Sequence, residues 1–574
     1  MPAAKTALRL TQTMAYGWAY FAEQHRWCTN GCRDGNGKLI HHRSSALSML
    51  VKSGCNIGYD VECYIGRQMY IENRQAVEVH GDLLKRGLRL SLSEVYHMAG
   101  KFLDHLEAVH IDSAMQLRRA MTDSGGYVAH IDATCDKGRG CTFVVLSGWD
   151  RWALSSGRVE TEHHELITPF LQRAIDMFGA PVGFVSDMGD AMRKAIAGAV
   201  LPSGEKPLAL VCHYHFGKDV GKDILYRDHE ALLSLFRDAK LKKKLQDYVK
   251  AISEQMKGKP LQSMVTEWAK DEGAGIPAGD NGIAVLRSLA QKILDYGHDE
   301  SSKKFPFTRP YLELYDRCCC ICAKIGAEIN SGRHTGITEK YITRLHNILL
   351  PIACSDVFKL VAVILREKAV VFDRLRSVLR LDSKDGCISK TGEADPGAAV
   401  LALMETDFNC FIAELREEYE NTENIYSKTA AKIILAHFDE YGGCLWGHRV
   451  NLIASDGVQF DRYIFRTNNI LECYFRPVKR NIRRREGRED VGYSLEHTKA
   501  SICYVGNLSS QKYLDIVYDG SLENLQNKFA LYDIMHDYDY AEVRPTVVTR
   551  RGSLPSSDKR IVRNADYTKK ALCV

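Results

Sequence analysis

The chain has 574 residues, 45% hydrophobic and 26% charged, with a formal net charge of +5. These are the proportions of a globular protein of about three domains, and they exclude a disordered or fibrous chain. So small a net charge also excludes a uniformly basic or acidic protein, so any contact with a polyanion must come from local clustering. The opening MPAAKTALRLTQTMAYGWAYF lacks a compact apolar run with a small-residue cleavage site, so no signal peptide is expected. No apolar run reaches membrane-spanning length, and Val357 to Phe372 is broken by Lys359, Arg366, Glu367 and Lys368. Eighteen scattered cysteines then suit a reducing cytoplasm better than a disulfide scaffold.

Residues 1–66 form the first segment, in which Thr6 to His25 reads as an amphipathic helix. Cys28 and Cys32 lie four apart, followed by His41, His42 and Cys55. A structural zinc would need four ligands, and the second half of this set is irregular, so a reduced loop is preferred over a zinc site. Residues 67–125 form the second segment. Asn73 to Lys85 places Ala76, Val79, Leu83 and Leu84 on one helical face, and Gly87 can end that helix. Ser91 with Glu94 is a capping box that restarts the chain, and Leu92, Val95, Ala99 and Phe102 continue an apolar stripe. Two short helices joined by a glycine turn make a helix-turn-helix. Its second helix would offer Ser91, Ser93 and Tyr96 to a DNA major groove, and a structural helical hairpin is the alternative.

From residue 126 the texture changes. Tyr127, Val128, Ala129 and Ile131 read as a buried strand entered through Gly125-Gly126, with Asp132 where that strand runs out. A carboxylate there is costly to bury unless it is paired, hydrogen-bonded or holding a metal, and capping of the next turn is the bland alternative. Cys141 to Trp149 and Trp152 to Glu160 read as two further strands, and Glu162 to Gly179 as a helix. A strand from Val182 to Val185 ends in Ser186-Asp187, and a helix follows to about Val200. Pro207 to His213 reads as a strand, with another helix from about Lys218. Three strands, helix, strand, helix, strand, helix is the order of the ribonuclease H-like fold. The core's first part is therefore assigned to residues 126–238. Residues 239–450 read as an almost wholly helical insertion, in which Cys318, Cys319, Cys320 and Cys322 are expected to be small buried side chains, not a metal site.

The core resumes over residues 451–510 with FRTNNILECYFRPVKRNIRRREGR, Phe465 to Arg488. Thr467, Asn468 and Asn469 can cap a helix. At 100° per residue Leu471, Tyr474, Phe475, Val478 and Ile482 share one arc, while Glu472, Arg476, Lys479 and Arg483 share another. Pro477 predicts a kink or restart. The basic run Arg476, Lys479, Arg480, Arg483, Arg484, Arg485 and Arg488 suits DNA phosphates, with a solvated face as the alternative. Residues 511–574 are a C-terminal extension whose Arg550, Arg551, Lys559, Arg560 and Arg563 stand among Ser and Pro, as in a flexible basic tail.

The chain resembles the DDE transposases, closest to Mutator-like and related insertion-sequence transposases. The resemblance runs from the helix-turn-helix to about Gly506. It rests on HIDAT around Asp132, VSDMGDAM around Asp187, CHYHF at Cys212 to Phe216, and RTNNILECYFRPVKRNIRRREGR around Glu472. Pro477 and the irregular cysteine-rich N-terminus depart from the family pattern. The resemblance implies that Asp132, Asp187 and Glu472 are the catalytic, metal-binding acids, holding two Mg²⁺ or Mn²⁺ ions. It implies that Cys212 and His215 form a supporting C-x-x-H signature. Asp136 and Asp190 are lower-ranked competitors as ligands, and His130 either lines the site or is packed. Implied partners are double-stranded DNA, as terminal inverted repeats and target, and a second copy of the chain in a synaptic dimer or larger assembly. The setting would be nucleoid-associated if prokaryotic, with no membrane partner. A nuclease or resolvase of the same fold, and a non-catalytic DNA-binding derivative, are the alternatives.

Overall fold

The N-terminal stretch pairs with itself instead of coiling. In a computed structural model of the chain, β1 (Ala3–Thr13) and β2 (Gly17–Trp27) form an antiparallel hairpin closed at Thr13 and Gly17, with β3 (His41–His42) added to β2. The expected helix over Thr6 to His25 is thus overturned. Leu8 and Leu10, and Trp18 and Tyr20, also repeat with a period of two, and Gly17 at φ +63° supplies the left-handed residue a tight turn needs. The structure describes residues 3–33, 37, 41–42, 45–136, 139–202, 204, 206–268, 275–296, 305–381, 397–454, 457–487 and 490–536. The expected basic tail and Arg488 lie outside them.

The chain divides into two compact units: Met1–Cys212 with Ile388–Ala398 and Cys444–Val574, and His213–Cys387 with Ala399–Gly443. In the first unit the hairpin is followed by α1 (Ser45–Leu50), α2 (Tyr59–Gly66), α3 (Ala76–Lys85), α4 (Leu92–Asp112) and α5 (Ala114–Asp123). Gly87, at φ +81°, stops α3: its N–H bonds the Leu84 carbonyl and that of Leu88 bonds Leu83, a Schellman cap. Ser91 and Glu94 make the expected reciprocal box, the Glu94 N–H donating to Ser91 Oγ at 3.2 Å and the Ser91 N–H to Glu94 Oε2 at 2.6 Å. The second helix is not short. It runs 21 residues, because Leu103, Leu106 and Val109 continue the stripe into the core past Gly100, with no proline before Ser113.

A five-stranded sheet follows, made of β4 (Val128–Asp136), β5 (Arg139–Ser147), β6 (Ala153–Val159), β7 (Gly183–Ser186) and β8 (Ala209–Val211), with α6 (His164–Phe178) and α7 (Asp190–Gly198) as connections. The spatial order is β6-β5-β4-β7-β8, with β4, β5 and β6 antiparallel and β7 and β8 parallel to β4. Both faces are covered from residue 128 to 131 of β4 and along β7, where every residue is buried. Ala129, Ile131 and Phe184 face the core shared with α6 and α7. Val128, Val185 and Leu210 pack on Ile464, just past the hairpin β9 (Arg449–Ile453) and β10 (Gln459–Tyr463).

The second unit is helical among its described residues: α8 (His213–Asp238), α9 (Leu241–Gln255), α10 (Leu261–Trp268), α11 (Gly279–Leu294), α12 (Pro310–Asn330), α13 (Gly336–Ala353), α14 (Asp356–Val378), α15 (Gly397–Asn421) and α16 (Ile425–Tyr441). In α12, Cys318 and Cys322 are buried, while Cys320 is exposed. The first unit closes with α17 (Asn469–Glu486), α18 (Gly492–His497), a 3-10 segment Ala500–Ser509, α19 (Gln511–Val517) and α20 (Leu525–His536). No single helix among the described residues is long and apolar enough to cross a membrane.

Candidate functional site

Asp132 is not at the end of its strand. β4 continues to Asp136, with Asp132 opposite Val144 of β5. On its other edge β4 pairs with β7 only as far as His130, which stands opposite Val185. Asp132 and Asp187 are each two residues beyond that pair, so they occupy the same register on adjacent parallel strands, where the two strands part. Side chains two apart share a face, which places Asp132 on the His130 side of the sheet. Both acids are half-buried. Asp132 Oδ1 accepts from the Ala133 N–H at 2.8 Å, and Asp187 Oδ1 from the Gly189 N–H at 3.0 Å. A Cβ on Gly189 would stand 2.9 Å from that oxygen, so a larger residue there would push the Asp187 carboxylate aside.

The third acid is placed by α17. Asn468, fully buried at the N-cap, uses its side chain on β4: His130 Nδ1 donates to Asn468 Oδ1 at 3.0 Å, and Asn468 Nδ2 donates to the Ile131 carbonyl at 3.1 Å. Its backbone N–H reaches Cys212 Sγ at 3.1 Å. The start of α17 is therefore bonded to β4 at the two residues before Asp132. Glu472 is four residues along, in the first turn of α17, and is exposed. The predicted arc is the buried one: Leu471, Phe475 and Ile482 are buried and Tyr474 and Val478 partly so. α17 passes Pro477 without interruption. The proline is exposed, and it removes a single backbone donor.

Arg476, Arg480, Arg483 and Arg484 are exposed along α17, and Lys479 is half-buried. Arg485 turns inward. Its guanidinium lies 5.2 Å from the centre of the Tyr70 ring and 3.4 Å from Glu486.

Behind the acids lies a buried polar layer whose two imidazoles are neutral. Burial drives the His130 imidazole down to about 4 against the pull of its Asn468 bond, so a packed His130 is what the structure contains. His448 falls to about 3 through burial, then through the charge of the fully buried Arg466 and the proximity of His130. Glu162, between β6 and α6, is an acid that periodicity does not single out. Partial burial, then the charge of Asp187, raises its carboxyl above the usual range, and Cys141 Sγ lies 3.9 Å from its Oε1. Asp190 is occupied by its own helix: Lys194 at 2.7 Å and Arg193 at 2.6 Å hold its carboxyl below the usual range. Asp136 closes β4, and its side chain lies outside the described set.

Elsewhere, Ser91, Ser93 and Tyr96 are exposed at the start of α4, although Ser91 is engaged by Glu94. Cys28 and Cys32 bring their sulfurs to 3.1 Å. Cys212 is buried, and His215 is half-buried in the first turn of α8 in the second unit. Among the described residues no group of three or more His, Cys, Asp or Glu side chains is placed to hold a metal ion. Among the described residues Cys28 and Cys32 therefore have no further ligands grouped with them, and Asp132, Asp187 and Glu472 do not form such a group. Asp132 and Asp187 still present hard oxygen donors in register, the donor type that divalent Mg²⁺ or Mn²⁺ takes. No family model matches the chain, and neither a curated protein nor a solved structure matches it.

Proposed function

We propose that this protein is a DDE-type transposase with a ribonuclease H-like core, cutting DNA at transposon ends and joining the ends to target DNA. The observation that carries this reading is the shared register of Asp132 and Asp187 on adjacent parallel strands, beside which Asn468 fastens the helix bearing Glu472. The sheet supports it, with three antiparallel strands followed by two parallel ones in the order 3-2-1-4-5.

Asp132 and Asp187 would hold the divalent ions, and Glu472, exposed in the first turn of α17 and not grouped with them in this structure, would be the third ligand that the family resemblance implies. When bound, such ions lower the pKa of water and stabilise a leaving alkoxide in phosphodiester cleavage. The chain's own residues do the rest. Exposed Arg476, Arg480, Arg483 and Arg484 bind the phosphates next to the scissile bond. Asn468 and His130 hold the helix start against β4, so that the acid and the basic row keep one orientation relative to Asp132. The neutral imidazoles of His130 and His448 add no positive charge behind the acids. Synapsis of two DNA ends calls for a dimer or larger assembly.

The test uses a labelled duplex bearing the repeats that flank the coding sequence, with Mg²⁺ or Mn²⁺, and Asp132→Asn as control. Joined products that vanish with the substitution are expected. Cleavage without joining would replace the transposase by a nuclease, and binding with no metal-dependent product would remove catalysis altogether.

A further inference from the structure

A cavity of about 490 Å³ opens between α9 and α13 of the helical unit, lined by Lys244, Asp247, Lys340, Thr343, Arg344, Asn347 and Ile348. Three cations and one carboxylate meet there, with Thr343 and Asn347 as neutral hydrogen-bonding groups. Lys340 and Arg344 are one turn apart on α13, so both charges point the same way. Lys244, Asp247, Lys340 and Arg344 are all exposed, and among the described residues none of the four makes an ion pair. The three cations repel one another, weakly because they are exposed, and a bound polyanion would relieve that repulsion.

The walls are held in place. Tyr248 of α9 is fully buried, its hydroxyl donates to the Tyr341 carbonyl of α13 at 3.0 Å, and the two rings meet edge to face at 5.9 Å. Tyr341 in turn donates to Gln255 Oε1 at 3.2 Å. The Arg344 guanidinium lies 5.8 Å from the centre of the Tyr248 ring, which limits its swing. The charged groups of the lining surround a single apolar side chain, Ile348. Exposed Lys240, Lys242 and Lys243 extend the positive charge along the start of α9, past the cavity itself. An elongated polyanion fits that arrangement better than a single phosphate.

We infer that this groove is a second DNA contact, binding backbone phosphates through Lys244, Lys340 and Arg344. It rests on the DNA reading above for the identity of the polyanion, and it does not depend on the acids. Asp247 would weaken the contact, as an adjacent like charge to the ligand, and so sets its strength.

The full chain and a fluorescent duplex, titrated at several salt concentrations, test it. Lys340→Glu combined with Arg344→Glu should weaken binding about tenfold or more near 0.1 M salt, and reduce the slope of log K against log salt by about 2. Asp247→Asn should tighten binding a few-fold, a change of sign that misfolding cannot imitate. Unchanged affinity and slope in the double variant overturn the groove, even where Asp132→Asn abolishes cleavage. A wild-type protein that never cuts, but in which the double variant still loses affinity, keeps the groove and removes the catalytic reading.

Discussion

Asn468 shows how one side chain can join parts of the chain that are far apart in sequence. Its bonds reach His130, 338 residues away, and Cys212, 256 residues away. In the sequence it is legible only as one of three cap-forming residues, because nothing local says what its amide will meet. His130 was legible as a strand residue near Asp132, and its neutrality follows from burial that the strand pattern already implies. With a folded value of about 4 against an ordinary 6.5, the unfolded chain binds the proton more readily. The stability His130 contributes is therefore full above 6.5 and is lost as pH falls towards 4, at up to about 1.4 kcal/mol per pH unit. Histidine-selective NMR should find one imidazole, absent in His130→Gln, neutral down to about pH 4. A value near 6.5 would mean that the layer behind Asp132 is open to water. His105 has the opposite sign. Burial opposes its charge, yet Glu62 and Asp533 raise it, so its contribution is present below 6.5 and lost as pH rises through the raised value.

At the scale of elements, α17 was readable because its apolar and charged arcs are local and periodic. The inward turn of Arg485 was not, since the Tyr70 ring that receives it is brought there by folding. The N-terminal hairpin was misread for a related reason. A stretch with both two-residue and helical spacing is decided by its partners, and here Gln12 is gripped by Arg89, its Oε1 accepting from the Arg89 N–H at 2.7 Å. The contact of β6 with α6 makes a direct check on packing. A Cβ on Gly157 would sit 2.2 Å from Phe170 Cε1, so Gly157→Ala must displace that ring or the strand. Urea unfolding should show a loss of about 1–3 kcal/mol, and Phe170→Leu in the same chain should recover part of it. A neutral Gly157→Ala would show that α6 does not press on the sheet at this point.

Across the whole first unit, α20 is fastened to the segment around α2 and to α4 by Asp533. It accepts from the Tyr59 hydroxyl at 2.6 Å and pairs with Lys52 at 3.1 Å, inside a layer where His105 meets Glu62 and stacks on Phe529 at 4.6 Å. Asp533→Ala removes the carboxylate while leaving the buried Tyr59 hydroxyl and His105 in place, and breaking such a set costs about 3–5 kcal/mol. Chemical denaturation followed by tryptophan fluorescence measures it, and a loss below about 0.5 kcal/mol would show that α20 is not fastened this way. None of this was visible in sequence, where the C-terminal extension stood out only for its basic tail.

Local periodicity and cap chemistry by themselves determined the strands of the sheet, the stop at Gly87, the box at Ser91 and Glu94, and the buried arc of α17, because each depends on neighbours within a turn or two. They also brought Asp132 and Asp187 forward as acids next to apolar strands. Tertiary structure alone decided that these two acids share a register, that β4 runs on past Asp132, and that Glu162 stands near Asp187. It alone decided that Asn468 holds the helix of Glu472 against β4. The physical reason is that strand register and helix docking are set by contacts hundreds of residues apart, whose energies depend on the packed interior and leave no period in the sequence.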